Sequence, residues 1–270
     1  MATMSPAPRA RPTFFQSLAL QCNVIGALLM RELHTRYGRE NVGYLWVIGE
    51  PLTLASMIAL IHAGQPTHYA NDMAPVPFAV MGYCIFIMFR GLFNRAEGAL
   101  EANAPLLYHK MVTVFDIMIS RALLELVGTS LSLVVLTALL ISIGLADWPP
   151  RPLWLMFGVF IMFWFSFNLS MIIVSITHDN RTLGRMVHPV SYIMMPLSGA
   201  FYRVEWIPET YRQYLEWFPL PQIFEMCRYG YFQSAKDTYF HVPYLIGCCL
   251  VLSYIGLVAM KIVRGKVHLH

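Results

Sequence analysis

Six long apolar runs dominate this sequence, and they decide what kind of fold it can form. A helix needs about 20 mostly apolar residues to cross the hydrocarbon of a bilayer. Only 13% of the 270 residues are charged and 57% are hydrophobic, whereas soluble domains carry about 25% charged residues. The runs therefore predict an all-α integral membrane protein with six transmembrane helices. They cover residues 44–63, 76–95, 114–143, 153–177, 187–203 and 242–263.

Lysine and arginine residues are distributed unevenly between the connections, which predicts the orientation of the helices. Cytoplasmic connections of membrane proteins are enriched in Lys and Arg. If both termini lie on one side, that side holds twelve basic residues and the opposite side holds five. We therefore expect both termini in the cytoplasm, with residues 96–113 on the inner side and residues 204–241 on the outer side. Residues 264–270 form a basic cytoplasmic tail beyond a transmembrane domain of residues 44–263.

The segment before the first run has a different pattern. Between residues 13 and 37, apolar residues recur at helical spacing, while Gln16, Gln21 and Asn23 interrupt them. This pattern predicts an amphipathic helix that lies in the inner interface of the membrane, within a cytoplasmic region of residues 1–43. A seventh span is the alternative. The apolar positions are Phe14, Leu18, Cys22, Ile25, Leu29 and Leu33.

Three stretches of the sequence carry a family resemblance. Two of them are "MPLSGAFYRVEWIP" at 195–208 and "WFPLPQIFEMCRYGYF" at 217–232. The third, at the start of the first run, consists of Arg31, Arg36-Tyr37, Gly43, Trp46 and the Glu50-Pro51 pair. Together they resemble the membrane subunits of type-2 ABC exporters for polysaccharides, and the Glu-Pro pair resembles the capsular polysaccharide branch most. The similarity extends over nearly the whole chain.

This resemblance implies a function and a set of partners. It implies a homodimeric permease in the bacterial inner membrane that works with two copies of a separate cytoplasmic ABC ATPase. The cargo would be a lipid-linked capsular polysaccharide, passed to a periplasmic or outer-membrane export partner. Residues 96–113 would carry a helix that contacts the ATPase, predicted here over Glu97–Ala104. The coupling residues would be Glu97, Glu101 and Asn103, and the anchors of the interfacial helix would be Arg31, Arg36 and Tyr37.

No catalytic or nucleotide-binding motif accompanies the resemblance. The patterns G-x-x-x-x-G-K-[ST], H-E-x-x-H and G-x-S-x-G are all missing from the sequence. The chain is therefore predicted not to be an enzyme, and ATP and magnesium would be bound by the partner ATPase. No cofactor, metal site or nucleic-acid contact is predicted, because the spacing of His178, Asp179 and His188 does not suit a metal ion.

Ionisable residues inside the apolar runs are candidates for contact with the cargo. Glu50, Arg90, Arg121 and Glu125 all lie in the inner third of the membrane, judged by their distance from the predicted helix ends. Two interpretations stay open, since the charges either pair and hold the fold or line the inner mouth of a conduit. We expect Glu50 to pair with Arg90, and Arg90 to meet an anionic group of the cargo. Trp46 completes the inner part of the predicted pathway.

The outer segment, residues 204–241, is rich in aromatic residues. Helical spacing after Pro208, and again from Pro221 to Gln233, predicts two short re-entrant amphipathic helices that dip into the outer leaflet. Anchoring at the membrane interface accounts for most of the aromatic residues. Tyr202 and Trp206 are the candidates for stacking on sugar rings.

Two other kinds of function were weighed. The same class of transporter accommodates another cargo, such as O-antigen, teichoic acid or a small molecule, and the sequence does not separate these. An integral-membrane glycosyltransferase or acyltransferase would need clustered catalytic acids or histidines at a membrane face. No spacing in the sequence resembles such a cluster.

Overall fold

Ten α-helices form the part of the chain that the computed structural model describes, which comprises residues 13–37, 45–63, 73–108 and 112–267. Gly43 and the side chains of Arg36, Tyr37 and Pro51 lie outside the described residues. The helices are α1 (Phe14–Tyr37), α2 (Trp46–Ala63), α3 (Pro75–Arg95), α4 (Ala104–Tyr108), α5 (Val114–Ser142), α6 (Pro152–Asp179), α7 (Arg181–Leu197), α8 (Glu209–Glu216), α9 (Pro219–Tyr231) and α10 (Val242–Val267).

Each of the six apolar runs coincides largely with one long helix, so the all-α prediction is confirmed. Within the described residues, four stretches are long and apolar enough to cross a membrane: Pro75–Arg95, Val114–Ser142, Pro152–His178 and Asp237–Val263. The helices α2 and α7, of 18 and 17 residues, are not among them. The structure thus supports a helical membrane protein with four candidate spans, and the number six stays a prediction.

The bounds predicted for the fifth run, 187–203, are wrong. Helix α7 begins six residues earlier, directly after α6, because Asn180 caps it: the Asn180 side chain accepts hydrogen bonds from the backbone N–H groups of Thr182 and Leu183 at 3.0 and 3.4 Å. It ends at Leu197 because Gly199 adopts a positive φ of 82°, which stops a right-handed helix. Two prolines, Pro189 and Pro196, lie inside it.

Helix α1 packs across the start of α5. Gln21 Nε2 donates a hydrogen bond to Asp116 Oδ1 at 3.0 Å, and Glu32 forms an ion pair with Arg121 at 3.2 Å. The two α1 residues are about 16 Å apart along their helix, whereas the two α5 residues are only about 7.5 Å apart along theirs. The helix α1 is therefore inclined to α5 rather than parallel to it.

The buried face of α1 differs from the predicted apolar face. Leu28 and Glu32 are its buried residues, and both belong to the face that contains Gln21. Gln21 and Glu32 of α1 contact polar residues of α5, so the face that carries them is turned toward the protein. The predicted apolar residues Phe14 and Leu18 stay exposed and are available to lipid.

At the other end of the bundle, α9 is enclosed by protein. All its residues except Pro219 and Tyr229 are buried, and it lies against α6 through two glycines. A Cβ added at Gly230 would lie 2.3 Å from the backbone nitrogen of Leu155, and one at Gly158 would lie 2.5 Å from Cys227 Sγ. Small residues permit this close helix contact, as is common in membranes. The apolar face of α9 is therefore buried in protein, whereas α8 has no buried residue, and the dipping of the two helices into the outer leaflet stays a prediction.

Arg228 of α9 holds this end together. Its side chain is fully buried, and its guanidinium donates to Glu225 Oε1 at 2.8 Å and to the carbonyl of Gly199 beyond the end of α7. It also lies 4.7 Å from the centre of the Phe78 ring of α3. Glu225 in turn accepts a hydrogen bond from the backbone N–H of Val204 at 2.8 Å. One arginine thus connects α9, α7 and α3.

Replacing Arg228 with Met is predicted to destabilise the fold strongly, because Glu225 is left buried without its cation. Removing one member of a buried ion pair typically costs roughly 3–5 kcal/mol, and replacing both members with apolar residues is milder. The thermal midpoint of the purified protein in detergent measures this, and Arg228→Met with Glu225→Leu should recover part of the loss.

Arg212→Met is the matched control. The Arg212 guanidinium donates to two backbone carbonyls, of Glu205 and Ile207, in a part-buried setting, and lies 5.5 Å from the centre of the Tyr239 ring. An equal loss of stability in Arg212→Met and Arg228→Met would contradict the role given to Arg228.

Candidate functional site

The segments predicted on the inner side meet at one end of the bundle. The Arg31 guanidinium of α1 donates to Asn103 Oδ1, and Asn103 Nδ2 donates to the carbonyl of Ala99 at 2.8 Å. Glu97 Oε2 lies 3.4 Å from His188 Nε2 of α7. The connection between α3 and α5 is therefore held by α1 on one side and by α7 on the other.

A cavity of about 230 Å³ opens at this inner end. It lies between the turn 96–101 and the junction of α6 with α7, and its lining includes Glu97, Glu101, Thr177 and His178. Both acidic groups and an imidazole therefore face a surface that a partner can reach. Nearby, Asn103 is buried, so Glu97 and Glu101 are the predicted coupling residues that are open to contact.

The helix predicted over Glu97–Ala104 is wrong in position. Gly98 takes a positive φ of 66°, a turn follows, and Glu101–Asn103 form one turn of 3-10 helix. The α-helix α4 starts at Ala104 and contains Pro105 in its first turn. Proline is tolerated there because the first N–H groups of a helix have no partner inside it.

Two of the four charges predicted in the inner third, Arg121 and Glu125, form ion pairs, but with partners that the sequence did not indicate. Arg95 forms an ion pair with Glu125 at 2.5 Å, and Arg121 forms one with Glu32 at 3.2 Å. A charged side chain at the centre of a bilayer costs about 2.5–3.5 kcal/mol on insertion scales. Each ion pair joins two helices. The two pairs therefore offset the cost of inserting the charges and also hold α3, α5 and α1 together.

The predicted pair of Glu50 with Arg90 is absent from the part of the chain that the structure describes. The Arg90 guanidinium instead lies 4.2 Å from the centre of the Tyr192 ring of α7. Glu50 is exposed on α2. The position of a residue along its helix does not fix the rotation of that helix, and Arg90 is on the side of α3 that meets α7.

The other pathway candidates lie at opposite ends. Trp46, at the start of α2, is 54% exposed, and Trp206 is 43% exposed with its ring stacked on Phe78 at 5.7 Å between centres. The hydroxyl of Tyr202 donates to the carbonyl of Leu197 at 3.1 Å. Burial raises the pKa of the Tyr202 phenol, while Arg228 opposes this rise and Glu225 adds to it. The hydroxyl therefore stays protonated and remains a donor.

Sequence reasoning missed Tyr192, Glu32 and Arg95 as members of this network. The available signal was spacing, since Tyr192 lies four residues after His188 and shares its helix face. A metal site was not predicted, and the described ranges contain no group of three His, Cys, Asp or Glu residues able to hold one.

Ionisable residues between the helices of a membrane bundle point to a functional site. Comparison with protein families agrees: the model of the ABC-2 type transporter family matches residues 23–232. The chain belongs to the ABC-2 type transporter family.

Three relatives are similar over nearly their whole length. The capsule polysaccharide export inner-membrane protein CtrC of Neisseria meningitidis serogroup B is 38% identical over 92% of this chain and 93% of its own. The inner-membrane protein BexB of Haemophilus influenzae, also named for capsule polysaccharide export, is 36% identical over 93% of this chain and 95% of its own. The polysialic acid transport protein KpsM of Escherichia coli is 29% identical over 86% of this chain and 90% of its own.

A pair of double-mutant cycles tests the ion-pair assignment. Glu32→Gln and Arg121→Gln are predicted to show a coupling energy of about 0.5–3 kcal/mol in stability, because their side chains touch. Glu50→Gln and Arg90→Gln are predicted to be additive within about 0.5 kcal/mol. Unfolding of the purified protein by a denaturing detergent measures both cycles, and the first is the positive control for the second. Strong coupling between Glu50 and Arg90 would instead support the ion pair that the sequence predicts between them.

Proposed function

We propose that this chain is the permease subunit of an ATP-driven exporter that moves lipid-linked capsular polysaccharide across the bacterial inner membrane. The observation that carries the proposal is similarity to CtrC and BexB over more than nine tenths of each chain. Both are named as inner-membrane proteins of capsule polysaccharide export. The apolar helices fit a multi-pass membrane protein.

The energy for export comes from a partner in this proposal. The sequence has no phosphate-binding loop, so two copies of a cytoplasmic ABC ATPase bind ATP and magnesium and serve a homodimer of this chain. The cavity between the turn 96–101 and the α6–α7 junction is the proposed docking surface for the ATPase. Glu97 and Glu101 line it, while the contact of Asn103 with Arg31 holds the segment in place.

In this proposal, the end of the bundle that carries the turn 96–101 faces the cytoplasm. Both termini are cytoplasmic, six helices span the membrane, and α1 lies in the inner interface with Arg31 as an anchor. The inclination of α1 to α5 and the exposure of Phe14 and Leu18 support that placement. The helices α8 and α9 form the periplasmic re-entrant segment, which faces an export partner of the cell envelope.

The cargo path connects the two ends. Trp46, Glu50 and Arg90 lie on its cytoplasmic side, and Tyr202 and Trp206 lie on its periplasmic side. The exposed face of the Trp206 indole suits stacking against the C–H face of a sugar ring. Membrane lipid surrounds the path, which matches a cargo that carries a lipid at one end.

Disrupting the gene in its own bacterium tests the proposal. Capsular polysaccharide should disappear from the cell surface and accumulate inside as lipid-linked chains, and a plasmid copy should restore export. The measurement is immunodetection of polysaccharide on intact and on permeabilised cells. Loss of a different surface glycan, or of drug extrusion, with normal capsule would contradict the cargo assignment.

Replacing residues 97–104 with a Gly/Ser segment of equal length is predicted to uncouple ATP hydrolysis from export. The turn and its contacts with α7 and α1 would be lost, while the apolar helices that insert into the membrane are unchanged. The assay compares ATP hydrolysis by the purified complex with surface polysaccharide, and the membrane level of the variant is the control. Unchanged export would show that the segment does not transmit the action of the ATPase.

A further inference from the structure

Three arginines lie in α3 and α5, and one of them differs from the other two. Arg95 has Glu125 as its partner at 2.5 Å, and Arg121 has Glu32 at 3.2 Å. Arg90 contacts the Tyr192 ring, 4.2 Å from its guanidinium carbon. Among the residues that the structure describes, no carboxylate or carbonyl oxygen accepts a hydrogen bond from Arg90.

Arg228, at the opposite end of the same bundle, is an arginine whose guanidinium has both polar and aromatic partners. Arg228 has an aromatic ring, a carboxylate and a backbone carbonyl around its guanidinium. Arg90 has the ring alone, so the edge that carries its N–H donors is open. A guanidinium presents a planar fork of donors that matches two oxygens of a phosphate group. An unmatched arginine at membrane depth marks a place where an anion binds.

The position of Arg90 makes this edge reachable. Arg90 is only partly buried, and Tyr192 is 58% exposed on α7. One helical turn before Tyr192, His188 contacts Glu97 at 3.4 Å. The seam between α3 and α7 is therefore tied at its end by Glu97 and His188, and Arg90 lies along that seam beside an exposed tyrosine.

We propose that Arg90 and Tyr192 form a binding site for the phosphate at the lipid end of the exported polysaccharide. This rests on the function proposed above. The Tyr192 ring covers one face of the guanidinium and holds it, and the N–H edge receives the phosphate oxygens. A membrane phospholipid carries the same chemical group, so the two sources have to be separated by experiment.

The binding experiment uses the purified full-length chain in detergent micelles. The probe is dioctanoyl phosphatidic acid, counted by native mass spectrometry against dioctanoylglycerol, which lacks the phosphate. Arg90→Gln should lower the affinity for the phosphatidic acid at least tenfold, and Arg90→Lys should lower it less, because the charge remains while the fork is lost. Lys261→Gln, which removes an exposed cation of α10, is the charge-matched control and should bind normally.

The outcomes separate the possibilities. Unchanged binding by Arg90→Gln or an equal loss in Lys261→Gln overturns the site. If Arg90→Gln does not fold, Tyr192→Leu is measured in its place. This variant keeps the Arg90 cation and removes the aromatic ring, so it should weaken phosphate binding. Its unchanged affinity then counts against the site.

An export assay in cells separates the two sources of phosphate. With cargo as the ligand, Arg90→Gln should stop surface display and leave lipid-linked polysaccharide inside the cell. Normal export by a variant that has lost binding assigns the site to membrane phospholipid and overturns the cargo assignment, while the proposed function stands. If the gene disruption leaves a normal capsule, the proposed function is refuted, whatever the result of the binding assay.

Discussion

A membrane supplies neither counter-ions nor hydrogen-bond partners, so every charge carried into this helix bundle has to be matched inside it. The inner half meets this constraint with ion pairs that join different helices: Arg95 with Glu125, and Arg121 with Glu32. Each pair joins two helices. The contacts that neutralise the charges therefore also fix the positions of α1, α3 and α5. Among the described arginines of α3 and α5, Arg90 is the one that has no carboxylate partner.

The outer end meets the same constraint by a different arrangement. There Arg228 and Glu225 belong to one short helix, α9, and their remaining hydrogen bonds go to the backbone of Gly199 and Val204. A short helix that the sequence makes amphipathic is thereby drawn into the protein, instead of lying against lipid. The segment around Trp206 is held by the same contacts, since Glu225 accepts from Val204 and the Trp206 ring stacks on Phe78.

Much of the fold follows from the sequence, and the exceptions have physical reasons. Hydropathy locates the long helices because lipid requires continuous apolar stretches, but it misplaced α7, whose polar first turns are fixed by the Asn180 cap and not by hydrophobicity. The partner of Arg90 depends on the rotation of α3, which the position of a residue along its helix does not give. The polar contact face of α1 was missed because its partners, Asp116 and Arg121, are almost a hundred residues away in sequence.

The most direct test of this account is photocrosslinking from the α3–α7 seam in cells. A benzoylphenylalanine placed at Tyr192 should, on illumination of ATP-depleted cells, form an adduct that an antibody against the capsular polysaccharide detects. The same residue at Ile262, an exposed position of α10, should give none. Adducts from Ile262 with none from Tyr192 would contradict the account, because the lipid end of the cargo would then pass elsewhere.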